Sequence, residues 1–245
     1  MLIKYSVLFL APLLSGLLIF FVPSTRTKNF RLLLVFAGAY LFAITVTHIL
    51  PELFRSTENV QWTGILVLAG FFLQQILEYF TSGIEHGHIH HQPGGEKKMS
   101  ALVLLAALCL HAFLEGGILA EPRGFWPGYD PVAILIGIAL HRAPAAFALM
   151  AVLADQLKSR RRAVPYLIFF SLAAPAGLFI SNFFANASLL NGAGMMAIYA
   201  LVSGNFLHIS TTIVFESSPD HHFNAKRLLV AVLGALAAVA VELVV

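Results

Sequence analysis

The strongest constraint on this chain is a run of eight apolar segments, each long enough to cross the hydrocarbon core of a bilayer as a helix of about 20 residues. They extend approximately over Lys4–Pro23, Phe30–Phe54, Trp62–Ile84, Met99–Ala120, Asp130–Asp155, Val164–Phe184, Asn191–Phe215 and Lys226–Val245. A backbone in lipid must satisfy its polar groups internally, so only helices or a closed barrel can span. The runs are continuous rather than alternating, which excludes a barrel. Charged residues make up 11% of the chain and hydrophobic ones 59%, against about 25% charged in soluble domains. The expected fold is therefore all-α and polytopic, with eight transmembrane helices. No long polar stretch interrupts it, so residues 1–245 read as a single membrane domain with a His-rich loop at about 85–98. The first segment is too long for a signal-peptide apolar region and lacks a small-residue cleavage site, so it reads as a retained span.

Charge gives the orientation. Eleven of the fifteen basic residues fall on the odd-numbered loops: Arg26, Lys28 and Arg31, then Lys97 and Lys98, then Lys158, Arg160, Arg161 and Arg162, and finally Lys226 and Arg227. Basic loops stay in the cytoplasm, which places both termini outside, in a multi-pass protein of the cell membrane, plasma or inner. Trp62 and Trp126 fall at the outer boundaries, where indoles favour the interface. The net charge of +3 follows from this distribution and gives no reason to expect a nucleic-acid partner. The expected partners are the lipid bilayer and a small ion, with a homodimer admitted.

The chemistry lies in the polar groups inside the spans. In LHAFLEGG, His111 and Glu115 stand four apart, so a helix stacks them on one face. An acid at mid-membrane costs roughly 2.5–3.5 kcal/mol and needs a partner. In the next span, LHRAP places His141 at similar depth, with Pro144 freeing the carbonyl of Leu140 beside it. Two imidazoles and a carboxylate suit zinc, and also iron(II) or manganese. Arg142 is a permanent cation beside this proposed cation site. It is expected to offset a carboxylate, Glu115 being the candidate, and to occupy the place of a second metal. His48, in THILPE next to a helix-bending Pro51, reads either as a pathway ligand or as a satisfied core histidine. His208 and Glu216 read as gate or exit lining, and Glu78 as interfacial. Cys109 points away from the His111 face and reads as a small buried residue. The third loop, EHGHIHHQPGGEKK, carries His86, His88, His90 and His91. It reads as a labile cytoplasmic loop that collects divalent metal.

These stretches resemble the ZIP (Zrt/Irt-like) metal transporters over nearly the whole chain. The fourth-span pattern of that family appears here as His111, Ala112, Phe113, Leu114, Glu115, Gly116. Its fifth-span pattern appears as His141, Arg142, Ala143, Pro144, Ala145, Ala146. SGNFLHI and THILPE are also similar to family stretches. The resemblance implies two inverted three-helix repeats around helices four and five, and metal uptake by sliding of one helix bundle against another. It also implies one metal site, at His111, Glu115 and His141 with His48 as a neighbour. The amide, acid and bridging ligand of two-metal members are replaced here by Ala112, Arg142 and Ala145.

The combined expectation is a divalent metal-ion transporter and not an enzyme. Zn2+ is the transported ion, with Fe2+, Mn2+ or Cd2+ as alternatives. Two rivals stay open: a metal sensor or inactive homologue that binds without flux, and an intramembrane metal hydrolase. The hydrolase lacks an evident base, because the acid near the histidines is already used.

Overall fold

The computed structural model describes residues 1–21, 28–81, 101–120, 131–187, 192–216 and 225–244, the side chains of 28–31, 215 and 216 excepted. The His-rich loop with His86, His88, His90 and His91, together with Trp126, lies outside these residues. Among the described residues there are eight helical units. Helix α1 is Leu2–Leu17, closed by a 3-10 turn at Leu18–Phe20. Helix α2 runs in three joined pieces, Lys28–Ile44, a π-helical stretch Thr45–Ile49 and Leu50–Ser56. Then follow α3 (Val60–Thr81), α4 (Ala101–Gly117), α5 (Pro131–Gln156), α6 (Arg160–Asn186), α7 (Gly192–Glu216) and α8 (Ala225–Val244). All but α4 are long and apolar enough, as described, to cross a membrane. The all-α polytopic fold expected from the sequence is the one observed.

Local chemistry explains where the helix ends depart from the apolar runs. Helix α6 begins before its apolar stretch, because the Ser159 side chain caps it by accepting from the Arg162 amide at 3.4 Å and arginine is a good helix former. Helix α5 opens on Pro131, whose missing amide costs nothing at a first helical position. In α2, the bend expected at Pro51 is taken up one turn earlier. The Leu50 amide reaches back to Thr45 O, five residues away. The hydroxyls of Thr45 and Thr47 bond to Leu41 O at 2.7 Å and Ala43 O at 2.9 Å. The π stretch thus absorbs the missing Pro51 donor without breaking the helix.

The helices pack as two groups. In one, α4 lies against α6, α1 against α5 and α6, and α5 against α6. In the other, α3 lies against α7, and α2 against α7 and α8. Contacts of α2 with α5 and of α3 with α4 join the groups. Exchanging α1–α3 with α6–α8, and α4 with α5, turns the α4–α6 pairing into α1–α5 and the α3–α7 pairing into α2–α8. The α1–α6 and α2–α7 pairings map onto themselves. The same exchange relates two interhelical imidazole–carboxylate contacts, His48 Nδ1 to Glu242 Oε1 and His208 Nδ1 to Glu78 Oε2, each at 3.4 Å. Most of the packing, though not the α5–α6 pairing, whose image α1–α4 is not among the close pairs, therefore carries the inverted three-helix relationship that the family resemblance implies.

Antiparallel neighbours are tied at their ends. Lys4 Nζ donates to Leu119 O at 3.2 Å, joining the start of α1 to the end of α4. Arg160 donates to Ile19 O at 2.9 Å, joining the end of α1 to the start of α6. A cation at the carbonyl-rich end of a helix opposes its dipole, which is what Lys4 does for α4.

Candidate metal centre

The site is built on the α4–α6 contact. A Cβ on Gly116 would strike the Ala174 carbonyl, and one on Gly177 would strike the Phe113 carbonyl. Two backbones can meet this closely only where side chains are absent, a common device where helices have no hydrophobic drive to associate in lipid. The contact fixes the stretch of α4 that holds Glu115 and, one turn earlier, His111. On α5, which contains Pro144, Ser15 from α1 donates to Ala143 O at 2.5 Å and braces the turn after His141.

His111, Glu115 and His141 come together. One ligand atom from each lies within 4.8 Å of the others. His111 Nε2 is 3.2 Å from Glu115 Oε1, and the two imidazole rings sit 6.0 Å apart at 85° to each other. Relative exposures are 2% for His111, 0% for Glu115 and 1% for His141, so water does not compete for these groups. No hydrogen bond of ordinary geometry reaches either Glu115 oxygen among the described residues. Buried carboxylate oxygens normally accept hydrogen bonds; here Oε1 faces His111 and Oε2 faces Arg142 without one, and a carboxylate so placed beside two imidazoles fits a cation site.

Arg142 is buried beside the cluster at 1% exposure. Its Nε lies 3.7 Å from Glu115 Oε2. The fork is held from behind: Nη2 donates to Phe170 O at 2.9 Å and Nη1 to Leu8 O at 3.5 Å. The guanidinium carbon sits 4.8 Å above the Phe170 ring, within cation–π range. The anticipated Arg142–Glu115 pairing is thus present. The anchoring by α1 and α6 was not readable, because backbone carbonyls carry no sequence signature.

His48 is not part of this cluster. The structure groups it with Thr47 and Glu242, whose Oε2 accepts from the Thr47 hydroxyl at 2.8 Å. Depth along a span can be read from sequence, but the direction a side chain faces depends on packing, and α2 packs on α8. Glu242 was missed, although a lone acid in the apolar run AVAVELVV is itself a signal that a partner is near. Glu78 is not simply interfacial: it reaches His208, which also stacks edge-on against Phe71 with centroids 4.8 Å apart. Nothing is described of the Glu216 side chain. Ala112 and Ala145 are both buried, at 0% and 4% exposure.

Fold and site together define a multi-pass membrane protein with a buried His–His–Glu cluster shared by two neighbouring helices. A family model described as ZIP Zinc transporter matches residues 84–242, and the chain belongs to that family of transporters. It is similar to Zinc transporter ZIP9-A of Xenopus laevis, 27% identical over 161 residues, covering 62% of this chain and 52% of that protein. It is likewise similar to Zinc transporter ZIP9-B of the same organism, 27% identical over 181 residues and covering 71% of this chain and 58% of the relative. Zinc transporter ZIP9 of Micropogonias undulatus is also 27% identical, over 159 residues. The chain spans about half the length of the curated relatives it matches.

Proposed function

We propose that this protein is a permease that carries a divalent metal ion, zinc foremost, across the membrane into the cytoplasm. His111, Glu115 and His141 hold the ion midway. The observation that carries this reading is the buried convergence of three ligand atoms within 4.8 Å of one another, on a chain whose family and relatives are zinc transporters. Neutral imidazoles and a carboxylate replace part of the ion's hydration shell, as zinc sites require. Arg142 cancels the single negative charge, so the site holds a cation loosely enough to release it, a condition of conduction. One metal rather than two follows, because Arg142, Ala112 and Ala145 stand where further ligands would be needed.

Both termini lie outside in this reading, supported by the basic odd-numbered loops and by Trp62 exposed at the start of α3. The histidines of residues 86–91 collect the delivered ion. All three ligands come from one chain, so a homodimer would not be required to complete the site. The anchored cation beside the ligands gives the sensor reading its support, since a fixed charge also slows ion entry.

Zinc uptake into proteoliposomes containing the purified protein tests this. Flux that disappears in His111→Ala and in His141→Ala supports the permease. Saturable zinc binding at these residues without flux replaces it with a sensor. Flux unaffected by either substitution removes the site assignment.

A further inference from the structure

We infer that Arg142 determines which ions this site accepts. By holding a fixed positive charge 3.7 Å from one oxygen of Glu115 it leaves an incoming ion the other carboxylate oxygen and two imidazoles, and so favours four-coordinate, imidazole-preferring cations such as zinc and cobalt(II) over manganese(II), magnesium and calcium. This rests on the assignment of His111, Glu115 and His141 as metal ligands.

The two oxygens of Glu115 have different neighbours. Oε1 lies 3.2 Å from His111 Nε2. Oε2 lies 3.7 Å from Arg142 Nε. The guanidinium cannot easily leave, because its other two nitrogens are bonded to backbone carbonyls of two different helices, Phe170 O in α6 and Leu8 O in α1. A change of side-chain rotamer elsewhere does not move those acceptors. The Phe170 ring closes a further side at 4.8 Å. An ion chelated by both carboxylate oxygens would sit between Oε1 and Oε2, drawn toward this fixed positive charge and repelled by it. An ion held by Oε1 alone sits on the imidazole side, away from the guanidinium.

The consequence follows from the coordination habits of the ions. Calcium takes six to eight oxygen ligands, often with chelating carboxylates, and magnesium and manganese favour octahedral oxygen sites. Here one oxygen of the carboxylate faces a fixed positive charge that also compensates its own, so the hard ions lose their principal ligand. Zinc accepts four ligands and binds imidazole well. Two nitrogens, one oxygen and one further small ligand satisfy it.

The test uses the full-length purified protein loaded with cobalt(II), whose visible absorption is strong when four-coordinate and weak when six-coordinate, together with zinc–manganese competition at equilibrium. The unmutated protein should give the strong four-coordinate spectrum. X-ray absorption of the zinc form should show two imidazoles and one short carboxylate oxygen. Arg142→Gln should weaken the cobalt bands and lower the preference for zinc over manganese by about tenfold, equivalent to about 1.4 kcal/mol. Arg142→Lys, which keeps the charge, should retain the strong spectrum. A six-coordinate cobalt spectrum or a chelating carboxylate in the unmutated protein overturns the inference even if Arg142→Gln fails to fold. So does an Arg142→Gln protein with unchanged spectrum and preference. A cobalt spectrum that survives His111→Ala together with His141→Ala overturns the site assignment itself, and this inference with it.

Discussion

Glu115→Gln separates the two roles that Glu115 holds at once. The amide keeps the volume of the carboxylate, so packing around α4 is preserved and only the charge is lost. Arg142 Nε stands 3.7 Å from Glu115 Oε2, a separation at which opposite charges attract by about 4–5 kcal/mol at an effective dielectric of about 20. The substitution removes this attraction, but the guanidinium keeps its bonds to Phe170 O and Leu8 O, which limit the cost of leaving it uncompensated. Hydrogen bonds to a charged group contribute roughly 1.5–3 kcal/mol each. A net loss of about 2–4 kcal/mol is expected, in line with breaking one side of a buried ion pair. For a chain of this size that corresponds to a fall in melting temperature on the order of 4–16 °C. Glu115→Gln/Arg142→Met removes the stranded charge and should recover most of the lost stability, while zinc uptake stays abolished in both. Thermal melts in detergent of the parent, the two single variants and the double variant give the coupling energy directly. If the single effects add to within about 0.5 kcal/mol, Arg142 is not balanced by Glu115, and the charge argument for a loosely held single ion fails.

Gly177→Val forces a side chain into the Phe113 carbonyl, whereas Gly64 has open space around its Cβ position. Overpacking of this kind costs about 1–3 kcal/mol, so Gly177→Val should lower the melting temperature by several degrees while Gly64→Ala leaves it unchanged or raised. Equal melts would remove the close α4–α6 contact from the account. His208→Ala and His48→Ala each break one interhelical pair. Both pairs are partly exposed, with Glu78 at 20% and Glu242 at 27%, so losses of about 1 kcal/mol or less are expected. Uptake should be reduced far less than by His111→Ala; an equal loss would place these pairs on the ion's path. Deleting residues 86–91 should lower uptake at scarce zinc while leaving zinc binding by the central cluster unchanged in equilibrium dialysis. Weakened central binding would argue against a separate collecting role.

How legible the chain was depended on which physical quantity each feature obeys. Bilayer thickness dictates span length and apolarity, so the eight helices could be marked from the sequence with ends wrong by only a few residues. The His111–Glu115 pair was legible because helical periodicity alone stacks positions four apart. Bringing His141 to them required α4 and α5 to face each other, which the residue pattern suggested but did not compel. His48 shows the limit: it lies in a span and beside a proline, yet α2 turns it toward Glu242. The anchoring of Arg142 was invisible for a different reason, since Leu8 and Phe170 act through their carbonyls and any residue there would offer the same group.

The inverted packing gives these departures a common logic. Under the exchange that maps α4 onto α5, the His-x-x-x-Glu of His111 and Glu115 corresponds to His141 and Ala145, both pairs preceded by a leucine. Glu115 has no acidic counterpart, since Ala145 stands at that place, and Arg142 follows the corresponding histidine. A symmetric arrangement would place two acids and two imidazoles at the centre, enough anionic charge to hold more than one divalent ion. Replacing one acid by Ala145 while adding a buried guanidinium moves the formal charge of the empty centre from minus two to zero, with the imidazoles neutral. The two imidazole–carboxylate contacts of the other helix group, His48–Glu242 and His208–Glu78, keep their symmetry. The asymmetry therefore lies on the ligand-bearing helices, while the group they pack against carries a matched set of pairs.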